Sequence, residues 1–321
     1  MKFSVGLRGA GTALGCLLLA ASAGAQAPQA VRLVVGYTAG GPVDSAARLI
    51  APRLARELGV TVLVDNRPGS NAALAGDIVS KAPPDGATLF FAASPTITIS
   101  PHVQKKMPFD PAKDLTPISP VVSYANVLVV NKDQPFQTVA ELLTYARANP
   151  GKVTYGSAGM GSSNHLSGEL LAAQTRTQLT HIPYKGSAPA LNDVVGGQLT
   201  MMFDIPGQSQ KFISTGRIRP LAVTSRERND ALPGVPTMRE AGLPGYEVIG
   251  WFALYGPPRM APELVARYNE AMRKVLALDD VRSQFVAQGY DTWIGSPQVL
   301  ADQAAKDREM WRGVTKGIEI E

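Results

Sequence analysis

Tyr37-Thr38-Ala39-Gly40-Gly41-Pro42-Val43-Asp44 near the start of the chain, and Tyr155-Gly156-Ser157-Ala158-Gly159-Met160-Gly161-Ser162-Ser163 near its middle, are two glycine-rich loops of nearly the same layout. Each follows a short β-branched run and precedes a helical pattern, which predicts a strand-to-helix turn with backbone N–H groups at the positive end of a helix. Such an end suits an anion. In the first loop, Ala39, Gly40 and Gly41 bring the backbone close to a ligand, Pro42 fits the first helical turn, where its missing N–H is harmless, and Asp44 is placed to cap the next amides. In the second, Gly156, Gly159 and Gly161 give the same freedom, while Ser157, Ser162 and Ser163 add hydroxyls able to donate to carboxylate oxygens. Either loop alone is ordinary α/β construction. A pair in separate halves suggests a clamp on a small carboxylate or phosphate.

Outward from the loops, short apolar runs alternate with helical patterns. Strands are expected over 32–35, 61–64, 88–92, 126–130, 152–155, 180–182, 199–203, 221–224 and 248–255, and helices over 44–58, 138–148, 166–174, 188–195 and 262–278. This order predicts an α/β fold with mainly parallel sheets. Thr138 with Glu141 three residues on has the spacing of a capping box. Two apolar runs, 121–130 and 219–224, are candidates for strands crossing between lobes. On that basis 126–223 forms one lobe, while 26–125 and 224–321 form the other.

Residues 1–25 read as a cleaved leader: Lys2 and Arg8 supply a basic start, 14–23 is small and apolar, and Ala23-Gly24-Ala25 has the form of a cleavage site. A soluble exported protein is the expectation. Cys16 after Gly15 raises a lipidated alternative, but it sits in mid-run with Leu17, Leu18 and Leu19 still to come. It is the one cysteine, so the mature chain has no thiol for a disulfide, a metal or catalysis. Without Lys2 and Arg8 the chain keeps 29 basic residues against 26 acidic, too mild a balance to argue for nucleic acid. About 295 mature residues exceed what one core usually holds, so two lobes are expected.

Catalytic readings fail one by one. The three histidines, His102, His165 and His181, include no pair at the spacing of a zinc-binding helix. Ser157, Ser162 and Ser163 lack the glycines of a nucleophile elbow, and a hydrolase using Ser162 or Ser163 with His165 would need its base unusually near in sequence. His165 is read instead as orienting the loop or capping the helix. Gly159-Met160-Gly161 opens like a dinucleotide fingerprint but has Asn164 where the third glycine belongs, and Lys185-Gly186-Ser187 does not make a phosphate loop. No cofactor and no metal are expected.

The chain resembles the Bug family, the TctC-like substrate-binding proteins of tripartite tricarboxylate transporters in Gram-negative bacteria. The likeness covers essentially the whole mature chain. It is carried by 36–44, by Val64-Asp65-Asn66-Arg67-Pro68-Gly69, Ala82-Pro83-Pro84-Asp85-Gly86, Lys113-Asp114-Leu115-Thr116-Pro117-Ile118 and Asn149-Pro150-Gly151-Lys152, by both parts of the second loop through Leu166, and by His181-Ile182-Pro183-Tyr184-Lys185-Gly186, Met202-Phe203-Asp204 and Leu221-Ala222-Val223-Thr224-Ser225. The resemblance implies a two-lobed periplasmic-binding-protein (Venus flytrap) fold that closes on a small organic acid and delivers it to membrane permease subunits. In such proteins the two glycine loops hold one carboxylate, partly through water. Gly36, Thr38 and Ile205 depart from the family's usual residues, which touches ligand identity rather than fold.

The other candidates carry two readings each. Tyr37 closes over the ligand or packs on its own lobe. Asp204 pairs with a ligand ammonium or, the favoured reading, accepts backbone N–H groups across the cleft. Tyr184 and Lys185 share one turn, where Lys185 steers anions or is simply solvated. Ser94 and Thr96 follow a strand end, where ligands of open α/β sheets gather. The reading overall is a non-enzymatic receptor, most simply a monomer, with a ligand sensor for a signalling partner as the alternative.

Overall fold

Strand β1 (Ala30–Val35) buries Val31, Leu33 and Val35 on one face and Val34 on the other. Apolar residues on both faces require helices on both sides of the sheet. The computed structural model describes residues 1–2, 30–184 and 186–315. The leader, its cleavage site and Lys185 lie outside them.

From β1 the chain runs through α1 (Pro42–Leu58), β2 (Thr61–Asn66), a single 3-10 turn at Ser70–Ala72, α2 (Ala73–Ser80), β3 (Thr88–Ala93), α3 (Ser94–Thr98), α4 (Ser100–Val103) and β4 (Thr116–Ala125). It then forms β5 (Val127–Asn131), α5 (Val139–Ala148), β6 (Val153–Ser157), α6 (Ser163–Thr175), β7 (Leu179–Pro183), α7 (Ser187–Val195), β8 (Met201–Asp204), α8 (Pro206–Ser214) and β9 (Ile218–Val223). It finishes with β10 (Ile249–Gly256), α9 (Pro262–Ala277), α10 (Asp279–Ala287), β11 (Asp291–Thr292) and α11 (Pro297–Val314). Thr138 caps α5 by accepting Glu141 N–H, while Glu141 reaches back to Gln137 N–H. Among the described residues no helix is long and apolar enough to cross a membrane.

Two sheets result, in the orders β11-β4-β10-β3-β1-β2 and β7-β6-β8-β5-β9. Each has its own pair of cores: Leu89 and Phe91 lie opposite Phe90 and Ala92 in the first, and Leu128 and Val130 opposite Val127 and Val129 in the second. The expectation of mainly parallel sheets needs correction. The βα units β1–β3 and β6–β8 pair in parallel, but β10 pairs antiparallel with β3 and β4, and β5 with β8 and β9. The strands that pass directly from one sheet to the other have no helical crossover, and they enter both sheets reversed.

The chain leaves the first sheet at β4 and enters the second at β5, with Asn126 between them. It returns after β9 by a long excursion over 224–248. Leu232 and Val235 pack in one core of the second sheet, and Met238, Tyr246 and Val248 in the other. Residues 224–248 thus pack on the second sheet, and the chain rejoins the first from β10 onward. At the crossing, Thr224 Oγ1 accepts Asn126 N–H (2.8 Å) and donates to Val248 O (2.7 Å), while Thr224 N–H donates to Asn126 O and Val248 N–H to Thr224 O. The long C-terminal helix spans both bodies, with Asp307 accepting Trp251 Nε1–H of β10 and Trp311 in the second core.

Thr224→Val keeps the side chain's shape and strands the Asn126 N–H, so urea denaturation should register a loss of roughly 1–3 kcal/mol. A loss within error of zero would show that the Thr224 hydroxyl is not what ties the crossing.

Candidate functional site

The first glycine loop joins β1 to α1, and the second joins β6 to α6, one on each sheet. Gly40 (φ 80°) and Gly161 (φ 76°) take left-handed conformations that favour glycine. Gly41 is the N-cap of α1 without a side-chain cap, Pro42 is its first residue, and Ala39 and Gly40 are exposed. The following amides of α1 have no intrahelical acceptor.

Several expected donors are used inside the loops. Asp44 folds back: Oδ2 accepts Gly40 N–H (2.8 Å) and Arg48 Nε–H (2.9 Å), and Oδ1 accepts Asn66 Nδ2–H (2.9 Å). Asn66 also donates to Tyr37 O. Burial would raise the Asp44 carboxyl, but the bonds from Arg48, Gly40 and Asn66 hold it below its usual range. Asp44 thus anchors the loop as an internal anion. In the second loop Ser157 Oγ accepts Gly159 N–H, Gly161 N–H donates to His165 Nδ1 (3.0 Å), and Ser162 caps α6 by accepting His165 N–H while its own hydroxyl donates to Gly159 O. Burial lowers His165 to about 4, so its ring is neutral and keeps the lone pair that Gly161 needs. The ring packs 4.1 Å from that of His181.

His181 Nε2 lies 2.6 Å from Ser157 Oγ. The serine paired with a histidine is therefore Ser157, not Ser162 or Ser163. It is fully buried with its oxygen engaged, which leaves a nucleophile no path to a substrate.

Several contacts join the two bodies near these loops. Asn71 Nδ2 donates to Met160 O in the tip of the second loop (3.0 Å). Ile205 packs in the core of the first sheet, and Gly207 of α8 lies so close to the turn after α10 that a Cβ there would sit 2.7 Å from the Gln288 carbonyl carbon. Tyr37 OH reaches Thr96 Oγ1 (3.3 Å); Thr96 gives its one proton to Asn71 O, so Tyr37 is the donor in that pair.

The remaining sequence-expected residues divide. Ser94 Oγ accepts Trp251 N–H and ties α3 to β10 inside the first lobe. The Tyr184 hydroxyl bonds Asp193 of α7 at 2.5 Å, and that carboxylate pushes the phenol up to about 12; its side chain is turned to its own lobe. Asp204 is fully buried at the end of β8, its Oδ2 accepting Ser209 Oγ–H (2.7 Å) and its Oδ1 without a hydrogen-bond partner. Burial pushes its carboxyl up to about 7 against the Ser209 bond. Tyr290 of the first lobe is raised by burial, then by Tyr124 and Asp204, and its ring meets that of Tyr124 edge-on at 5.6 Å. Sequence reasoning missed Asn71, Tyr124 and Tyr290, because each lies far in sequence from the loops and belongs to no local motif.

Two α/β bodies, each with a glycine loop leading into a helix N-terminus, have the architecture of a two-lobed solute-binding protein of the periplasmic type. Residues 46–320 match the model of the tripartite tricarboxylate transporter family receptor, and the chain belongs to that family. BugT of Bordetella pertussis is 31% identical over 287 residues, 89% of this chain and 88% of BugT. The solved structure of R. palustris Rpa4515 with adipate superposes with a TM-score of 0.81 at 36% identity, covering 90% of this chain and 97% of that one. MatC (Rpa3494) from Rhodopseudomonas palustris with bound malate gives 0.79 at 30% identity, over 89% and 98%.

The raised Asp204 carboxyl has a definite linkage sign. A carboxyl at about 7 in the folded protein against 3.8 unfolded binds its proton more tightly when folded, so its contribution is full below about pH 4 and is lost as pH rises toward 7. Comparing wild type with Asp204→Asn by denaturation at pH 4 to 7, the wild type should lose ground by at most roughly 1.4 kcal/mol per pH unit. Parallel pH profiles would place Asp204 in contact with water or an unseen cation.

Proposed function

We propose that the chain is an exported periplasmic receptor that captures a small organic carboxylate by lobe closure and presents it to the permease subunits of a tripartite tricarboxylate transporter. In this reading the leader is removed near Ala25, the protein acts as a monomer, and it performs no catalysis. Its lobes divide as 26–125, 126–223 and 224–321, with the 224–248 excursion seated on the second. The observation that supports the reading is that the glycine loops before α1 and α6 lie on different sheets, while Asn71 of the first body bonds Met160 in the second loop. A carboxylate between them would meet amides from both lobes at once only when the lobes approach, so its binding energy favours that state.

Gly40, Gly159 and Gly161 have their amides engaged within the loops, which leaves Ala39, the first free amides of each helix and the Ser163 hydroxyl as the contacts proposed for the acid, with Tyr37 and Thr96 joining them only by giving up their present bonds. Water-bridged contacts would cost little affinity and tolerate varied acids. Adipate and malate, found on the two solved relatives, set the first class to try. The unpartnered oxygen of Asp204 is the group proposed to read the ligand's far end.

A thermal-shift screen of the exported chain against aliphatic dicarboxylates including malate and adipate, tricarboxylates, amino acids and aromatic acids tests this. A ligand at 100 times its dissociation constant should add about 2.7 kcal/mol. Stabilisation by none of them would overturn the receptor reading. A response confined to amino acids would assign the Asp204 oxygen to an ammonium group.

A further inference from the structure

We propose that Asn71 is a clasp that holds the lobes together at the rim of the cleft, and that the unusual backbone around it exists to aim its side chain. Ser70, Asn71 and Ala72 have φ values of 45, 54 and 67°. Consecutive non-glycine residues in the left-handed region are costly and persist only where the surroundings enforce them. Asparagine tolerates this region; alanine has no such excuse.

The enforcement is visible on the first lobe. Gln104 Nε2–H donates to Ser70 O (2.7 Å) and Thr96 Oγ1–H to Asn71 O (3.0 Å), which fixes two successive peptide planes of the turn. Ala72 is wedged against β1, where a Cβ on Gly36 would lie 2.1 Å from the Ala72 Cβ. With both carbonyls held from behind, the Asn71 side chain projects away from its own lobe and donates to Met160 O of the other. Met160 sits between Gly159 (φ 120°) and Gly161 (φ 76°), a turn that presents its carbonyl outward.

The chain of contacts from Met160 through Asn71 and Thr96 to Tyr37 links the clasp to groups proposed to touch the ligand. Ordering Tyr37 and Thr96 around an acid therefore also orders the donor that joins the lobes. The bond lies at the exposed rim, and both partners regain water when the lobes part. It biases closure without locking it. The clasp rests on the closure reading above only for its effect on affinity.

The test uses the absence of other thiols. In a Cys16→Ser background no native cysteine remains, so Arg56→Cys on α1 and Arg147→Cys on α5, both exposed, accept one spin label each. Double electron–electron resonance then reads the distance between lobes, with and without malate or adipate. Asn71→Gly keeps the left-handed backbone and removes only the side-chain donor. It should leave the melting temperature unchanged or higher, enlarge the long-distance population without ligand, and weaken whichever acid binds by about tenfold or less, the ceiling for one neutral hydrogen bond.

Identical distance distributions for wild type and Asn71→Gly would overturn the clasp, as would a wild type with no short-distance population in any condition. A lower melting temperature with unchanged distances would make Asn71 a brace of its own lobe and overturn it equally. If neither acid alters the wild-type distances, the choice of ligand fails while the unliganded comparison still decides the clasp.

Discussion

Both strand crossings between the two sheets, at Asn126 and at Val248, pass beside one buried hydroxyl. Thr224 holds Asn126 on the outgoing strand and Val248 on the returning one, through its side chain and its backbone alike. A threonine suits the place because its hydroxyl accepts and donates at once while its methyl fills apolar space. The bonds pair backbone groups that neither sheet's ladder can satisfy, since the strands part company there. A buried amide or carbonyl left alone at that point would cost more than the bond is worth. The crossing is thus narrow and fully bonded.

The loops show a second economy. Glycine-rich turns at helix ends look in sequence like open nests of donors, yet here much of each nest is filled by the protein itself. Asp44 supplies the first loop with its own carboxylate, and Ser157 and His165 satisfy amides of the second. These internal bonds cost some donors and gain rigidity, because a loop already ordered loses little entropy on binding. What remains exposed to a ligand is the set of amides that a helix end cannot satisfy within itself.

The fold was legible to the extent that it is local. Alternating apolar runs marked the strands, and Thr138 with Glu141 marked α5, since both signals act over a few residues. The sheets' mixed direction was not legible, because it depends on which strands cross between bodies, and a strand's sequence carries no sign of its partner's direction. The two strand-to-helix loops were legible in their glycines and serines for the same reason that the strands were. Asn71, Tyr124 and Tyr290 were not: they reach the cleft from the 3-10 turn after β2, from β4 and from the turn before β11, and only the packing of whole elements brings them there. Tyr184 shows the converse, a residue adjacent to the loop in sequence and in backbone whose side chain is captured by Asp193 on α7.

The balance of energies explains why a clasp belongs at the rim and not at the core of the closing surface. Moving a two-state equilibrium from 1:99 to 99:1 takes about 5.5 kcal/mol of differential binding. One exposed neutral hydrogen bond contributes about 1 kcal/mol. In the proposed reading Asn71 shifts the closed fraction several-fold but leaves the decision to the ligand, whose charge would meet helix ends from both lobes. A stronger apolar closing surface than the seat of Ile205 in the first core would shut an empty receptor. The polar contact of Asn71 with Met160 adds little to that seat, because water takes its place at modest cost when the lobes part.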